Sequence, residues 1–132
     1  MNVAHALVKS AATRLMLNKQ TEIVKPWGHE IIWAQTDDYV GKLIFIDEGH
    51  KLSRQYHNIK EETILVKSGV LTLEIGARQY KREVELPPGS SYHIKPNTIH
   101  RFCANYENVV LVEVITPHLN DVVRLEDDYR RK

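Results

Sequence analysis

The chain has 132 residues, 42% hydrophobic and 27% charged, and its 18 Lys and Arg against 17 Asp and Glu leave a net charge of +1. That length suits one domain, able to bury roughly two-thirds of its unfolded surface, and is short for two. The composition excludes a disordered tail, a collagen-like repeat and a disulfide-built miniprotein, and the near-neutral balance gives no electrostatic case for nucleic acid or an anionic membrane.

Residues 3–17 repeat apolar positions at helical spacing, Val3, Leu7, Val8, Ala11 and Leu15, with no Gly or Pro. The pattern predicts a short amphipathic helix within an N-terminal extension of residues 1–20; the plainer reading is a loosely held terminus. Lys9, Arg14 and Lys19 are spread among the apolar residues instead of preceding an apolar run, so a signal peptide is not expected.

From residue 21 to 132 the texture is that of one all-β domain. Ile31 to Trp33, Tyr39 to Ile46, Thr63 to Lys67, Val70 to Ile75 and Val109 to Ile115 are rich in branched and aromatic residues. Turn signals separate them: Pro26-Trp27-Gly28, Glu48-Gly49, Ser68-Gly69, Ile75-Gly76 and Pro87-Pro88-Gly89. About nine or ten strands at this spacing predict a sandwich or barrel. The charged stretch Asp121 to Lys132 reads as a closing strand with a solvated end, and its Asp127-Asp128 pair as part of that tail. No apolar run reaches the roughly 20 residues of a membrane span. The one cysteine, Cys103, cannot close an internal disulfide; it reads as a buried structural thiol in a reducing compartment, so the cytoplasm is expected.

The chemistry gathers around Gly49-His50-Lys51-Leu52-Ser53-Arg54-Gln55-Tyr56-His57. Gln55 and His57, two apart on a strand, share a face. Glu62 follows a short polar turn and opens a strand that runs back beside the first; His100 comes later, after Gly89 and Pro96. Convergence of Gln55, His57, Glu62 and His100 in a barrel interior makes an N/O site for a divalent cation, with Zn, Mn, Fe, Co or Ni all compatible. Gln55 also reads as a hydrogen-bonding neighbour of the site.

These residues carry a family resemblance. Gly49, Gln55, His57, Glu62 and Gly69 keep the spacing of the first cupin motif, with Gln in the first His place, and Gly89 and His100 keep that of the second, with Lys95 and Asn97 at its Pro and Gly places. Lys25-Pro26-Trp27-Gly28, His100-Arg101 and the run Asp121 to Tyr129 extend the likeness from about residue 25 to 131. The chain thus resembles the C-terminal isomerase domain of type II mannose-6-phosphate isomerases. The resemblance implies a single-domain cupin barrel, the double-stranded β-helix or jelly roll, paired as a homodimer. It implies metal-dependent interconversion of a small sugar phosphate, most like mannose 6-phosphate to fructose 6-phosphate, through an enediolate. It also implies a role for Arg101 in phosphate binding or catalysis. The general base is not named by the pattern; His93, Lys95 and Glu113 are the expected choices. A non-catalytic metal- and sugar-binding cupin, or another metal-dependent cupin enzyme such as a dioxygenase, fits the same motifs.

Overall fold

The computed structural model describes residues 18–132; the helix expected over residues 3–17 lies outside them. The described chain is almost entirely strand. In order come β1 (Thr21–Lys25), β2 (Gly28–Gln35), β3 (Val40–Ile46), β4 (Arg54–Tyr56), β5 (Glu62–Ser68), β6 (Leu71–Ile75), β7 (Arg82–Leu86), β8 (Ser91–Ile94), β9 (His100–Cys103), β10 (Val109–Ile115) and β11 (Val123–Glu126). One 3-10 turn, Arg78–Tyr80, joins β6 to β7. No helix among the described residues is long and apolar enough to cross a membrane.

All pairings are antiparallel. They form a six-stranded sheet, β1-β2-β3-β10-β5-β8, and a five-stranded sheet, β11-β4-β9-β6-β7. Side chains alternate across each strand, and the inward sets of the two sheets meet. Ile44, Ile46, Ile64, Val66, Val109 and Leu111 from the first sheet pack with Leu71, Leu73 and Phe102 from the second, around Trp27. A smaller cluster of Ile32, Val40 and Ile115 lies further along the first sheet.

Between these two apolar clusters the inward row of the first sheet changes character. Glu30 on β2, Lys42 on β3, Glu113 on β10 and Glu62 on β5 are all buried, on four strands that are successive neighbours. Each keeps the period of its strand, so the local β pattern turns these charges inward. The site is therefore a polar layer inside an otherwise apolar barrel.

The other face of the five-stranded sheet is covered by the chain's last residues. Arg54 bonds Glu74 and Glu126, both at 2.8 Å. Cys103 is buried; burial, then the charge of Glu74, pushes its thiol up to about 12. It is a structural thiol, as its sequence context suggests.

Two glycines of the first motif separate backbone strain from crowding. Gly69 turns β5 into β6 at φ +76, and a Cβ there would stand 2.2 Å from the Asn108 carbonyl oxygen. Gly49 has φ +82 with open space around it. Gly69→Ala should lower unfolding stability by about 3 kcal/mol and Gly49→Ala by about 1 kcal/mol, measured by urea titration. Equal losses would show that crowding at Gly69 does not matter.

Candidate metal centre

His57 lies just past the end of β4, Glu62 begins β5 and His100 begins β9. Strand order brings these distant residues together: Gln55 pairs with His100 across β4 and β9 of one sheet, and Glu62 opens β5 of the other. One ligand atom from each of His57, Glu62 and His100 lies within 4.8 Å of the other two. Glu62 Oε2 is 3.6 Å from His57 Nε2, and Glu62 Oε1 is 3.0 Å from His100 Nε2.

All three side chains are buried, and His57 Nε2, His100 Nε2 and Glu62 Oε1 have no aligned hydrogen-bond partner. Leaving three buried polar atoms unsatisfied is costly unless something else meets them. The opposite ring nitrogens are occupied. His57 Nδ1 donates to the Asp121 carbonyl at 2.5 Å, and His100 Nδ1 to the Thr98 carbonyl at 2.8 Å. Each bond places the proton on Nδ1 and leaves the Nε2 lone pair facing Glu62, the arrangement a metal-ligating histidine needs. Burial, reinforced by the nearby Lys60 charge, pushes the His57 imidazole below its ordinary value and favours its neutral form. Burial opposes ionisation of Glu62, but its polar surroundings, the Lys60 ammonium among them, outweigh it and hold its carboxyl well below the usual range. Two neutral imidazoles and one carboxylate fit a divalent transition ion.

Lys60 is one of the groups that sequence reading missed, with Glu30 and Lys42. It sits in the turn between His57 and Glu62, where a lysine ordinarily faces solvent, yet it is buried. Its ammonium lies 3.2 Å from Glu62 Oε2 and 3.8 Å from Glu113 Oε1. Burial works against that charge, and Glu113 and Glu62 more than offset it, so Lys60 stays a cation. Glu113 is pushed up to about 8 by burial and then by the charge of Glu62. Beside it Lys42 bonds Glu30 at 3.1 Å.

A cavity opens above this layer. Glu30, Lys42, Gln55, His57 and Lys60 line it from the barrel, Lys25 and Trp27 from the entry strand, and Leu119, Val122, Arg124 and Arg131 from the C-terminal segment. Gln55 thus reaches the expected place, with its amide oxygen accepting from Ser53 Oγ at 3.0 Å.

The expected catalytic residues fare differently. Glu113 is in the buried layer, beneath Lys60. Arg101 follows His100 on β9 and so takes the opposite face, where its Nε donates to the Leu52 carbonyl and its Nη2 to Asp128, both at 2.8 Å. It is not among the residues that line the cavity. His93 is on the outward face of β8, paired with the exposed Glu61, and Lys95 is exposed beyond that strand. Neither lines the cavity that His57 faces; His93 borders a separate, shallow cavity with Glu61 and Glu62.

Comparison with known proteins bears on this geometry. The family model for the mannose-6-phosphate isomerase C-terminal region matches residues 12–129. A D-lyxose/D-mannose isomerase from Thermosediminibacter oceani is 27% identical over 125 residues, spanning 77% of this chain and 68% of its own. KdgF from Halomonas sp. matches with a TM-score of 0.65 at 19% identity, covering 76% of this chain and 89% of that one. A protein with a double-stranded β-helix domain from Klebsiella pneumoniae matches with a TM-score of 0.63 at 20% identity, covering 80% and 85%. At such identities the structural likeness is one of fold, and the fold is the double-stranded β-helix.

Proposed function

Since the chain belongs to the mannose-6-phosphate isomerase C-terminal family of cupins, we propose that it is a metal-dependent aldose–ketose isomerase of sugar phosphates, with mannose 6-phosphate and fructose 6-phosphate as its first pair. The observation that carries this reading is the set of three buried ligand atoms on His57, Glu62 and His100 without an aligned partner, beside a cavity that His57 lines together with five Lys and Arg side chains and one carboxylate, Glu30. Those three residues would hold the ion, with Gln55 as a fourth ligand. A divalent cation held there would supply polarisation of an oxygen and lower the cost of negative charge on it.

The reaction moves a proton from C2 to C1 of the sugar through an enediolate. Glu30 is the carboxylate on the cavity wall and is assigned the proton transfer between the carbons. Lys60, fixed as a cation by Glu62 and Glu113, offsets the charge that develops on the enediolate oxygens. With Arg101 held by Asp128, the phosphate falls to Lys25 and Arg124 at the mouth. Lys25 has no ion-pair partner among the described residues, and Arg124 Nε is buried without a hydrogen-bond partner. This cationic lining favours a phosphate ester over the free sugars named for the Thermosediminibacter relative. The outer face of the six-stranded sheet, with Trp33, Leu65 and Val114 exposed, is consistent with pairing as a homodimer.

The test is turnover of mannose 6-phosphate and of free mannose and lyxose, before and after metal removal by chelator. We expect turnover of the phosphate ester to be lost with the metal and restored by adding back Zn, Mn, Fe, Co or Ni. Binding of the ester without turnover would favour the non-catalytic reading, and undiminished turnover by metal-free protein would defeat the metal-dependent one.

A further inference from the structure

His57 and His100 are oriented by main-chain carbonyls of different origin. The carbonyl that holds His100 belongs to Thr98, two residues away on the same turn. The one that holds His57 belongs to Asp121, 64 residues away, in the connection between β10 and β11. The side chain of the same aspartate grips the segment that links His57 to Glu62. Asp121 Oδ1 accepts from the Asn58 main-chain N–H at 3.1 Å and from Asn58 Nδ2 at 3.4 Å. Its Oδ2 accepts from the N–H groups of Ile59 at 2.6 Å and Lys60 at 2.8 Å. Successive N–H groups on one carboxylate form a charge-assisted cradle, and those of Lys60 and Ile59 foremost hold the carboxyl down to about 2.

We propose that Asp121 is a positioning residue for the metal centre. Its carboxylate fixes the path of residues 58–60, and that grip keeps its own carbonyl on His57 Nδ1. With the proton held at Nδ1, Nε2 presents its lone pair toward Glu62 and His100. The same grip sets Lys60 between Glu62 and Glu113. The C-terminal connection thereby becomes part of the metal site without contributing a ligand. This inference rests on the reading of His57, Glu62 and His100 as ligands.

The test is Zn2+ affinity, by competition with a chromophoric chelator, for the wild-type chain, Asp121→Ala, Asp121→Asn and Asn120→Ala. Melting of the metal-free proteins is followed in parallel. We expect Asp121→Ala to bind Zn2+ about 10–100-fold more weakly, the usual cost of losing a partner that orients a ligand. Asp121→Asn keeps one acceptor oxygen and should fall between Asp121→Ala and wild type. Asn120→Ala, at an exposed neighbour, should match wild type. Co2+ bound to Asp121→Ala should show an altered visible absorption, a change that lower fold stability alone does not produce. Should Asp121→Ala fail to fold, Asp121→Asn decides. Zn2+ affinity within twofold of wild type in the folded variants overturns the role of Asp121. No Zn2+ binding by the wild-type chain overturns the metal reading itself, and this inference with it.

Discussion

Replacing His57 with alanine should abolish metal uptake and sugar isomerisation together. The variant loses one of three buried ligand atoms that approach one another within 4.8 Å, leaving Glu62 and His100 as an incomplete pair. Without the cation, charge on the enediolate oxygens is met by Lys60 alone. We expect kcat/KM to fall at least about 1000-fold, equivalent to about 4 kcal/mol of transition-state stabilisation. Glu30→Gln provides the contrast. It preserves shape and leaves the ligand atoms in place, so Zn2+ should still bind while kcat falls by about 100- to 10,000-fold, the range for losing a general base. Elemental analysis per chain alongside steady-state kinetics separates the two outcomes. A folded His57→Ala protein with one metal per chain and full turnover would falsify the assignment.

The second large effect is on stability. Lys60→Met removes the ammonium that stands between Glu62 and Glu113, two carboxyls that are nearly sealed from solvent. Breaking a buried ion pair on one side usually costs about 3–5 kcal/mol, because the remaining charge has no partner. The loss should depend on pH in a definite sense. Glu113 is already pushed up to about 8 with Lys60 present, and removing that cation pushes it further up. A carboxyl with a raised folded-state value holds its proton more tightly than the unfolded chain does, so stability falls as pH rises from its ordinary range toward the raised value. Wild type shows the same fall until about pH 8, where Glu113 ionises beside Lys60, so the deficit should widen above that value and be larger at about pH 9.5 than at about pH 5.5 in urea titrations. Adding Glu113→Gln should remove the pH-dependent part of the deficit and leave the part due to the unpaired Glu62 charge. An unfolding free energy within about 1 kcal/mol of wild type at both pH values would contradict the buried charge layer.

Much of the site was readable along the chain, and the reason is geometric. Alternation on a strand is a local property, so Gln55 and His57 belong to one face whatever else the fold does. The same rule separates Arg101 from His100, and the structure bears this out by burying Arg101 against Leu52 and Asp128 on the other side of β9. Strands with one apolar face, such as Glu62–Ser68 and Val109–Ile115, announce themselves by composition. Arg82–Leu86 did not, because four of its five residues are exposed and no buried face imposes a pattern.

The charges escaped sequence reading for a different reason. Glu30, Lys42 and Lys60 look like ordinary surface residues when each is seen among its chain neighbours. What buries them is the order β2-β3-β10-β5, which stacks their inward positions into one row, and the turn that folds Lys60 back over it. Asp121 is the extreme case. Its sequence context is a charged tail, and its importance comes from where the chain crosses His57 after β10. The amino-acid order by itself determined the all-β class, the motif glycines and the faces of the candidate ligand side chains, because φ preferences and side-chain alternation act over one or two residues. Which charge meets Glu113, and what holds the His57 imidazole, was decided only by tertiary pairing, because those contacts join segments more than fifty residues apart.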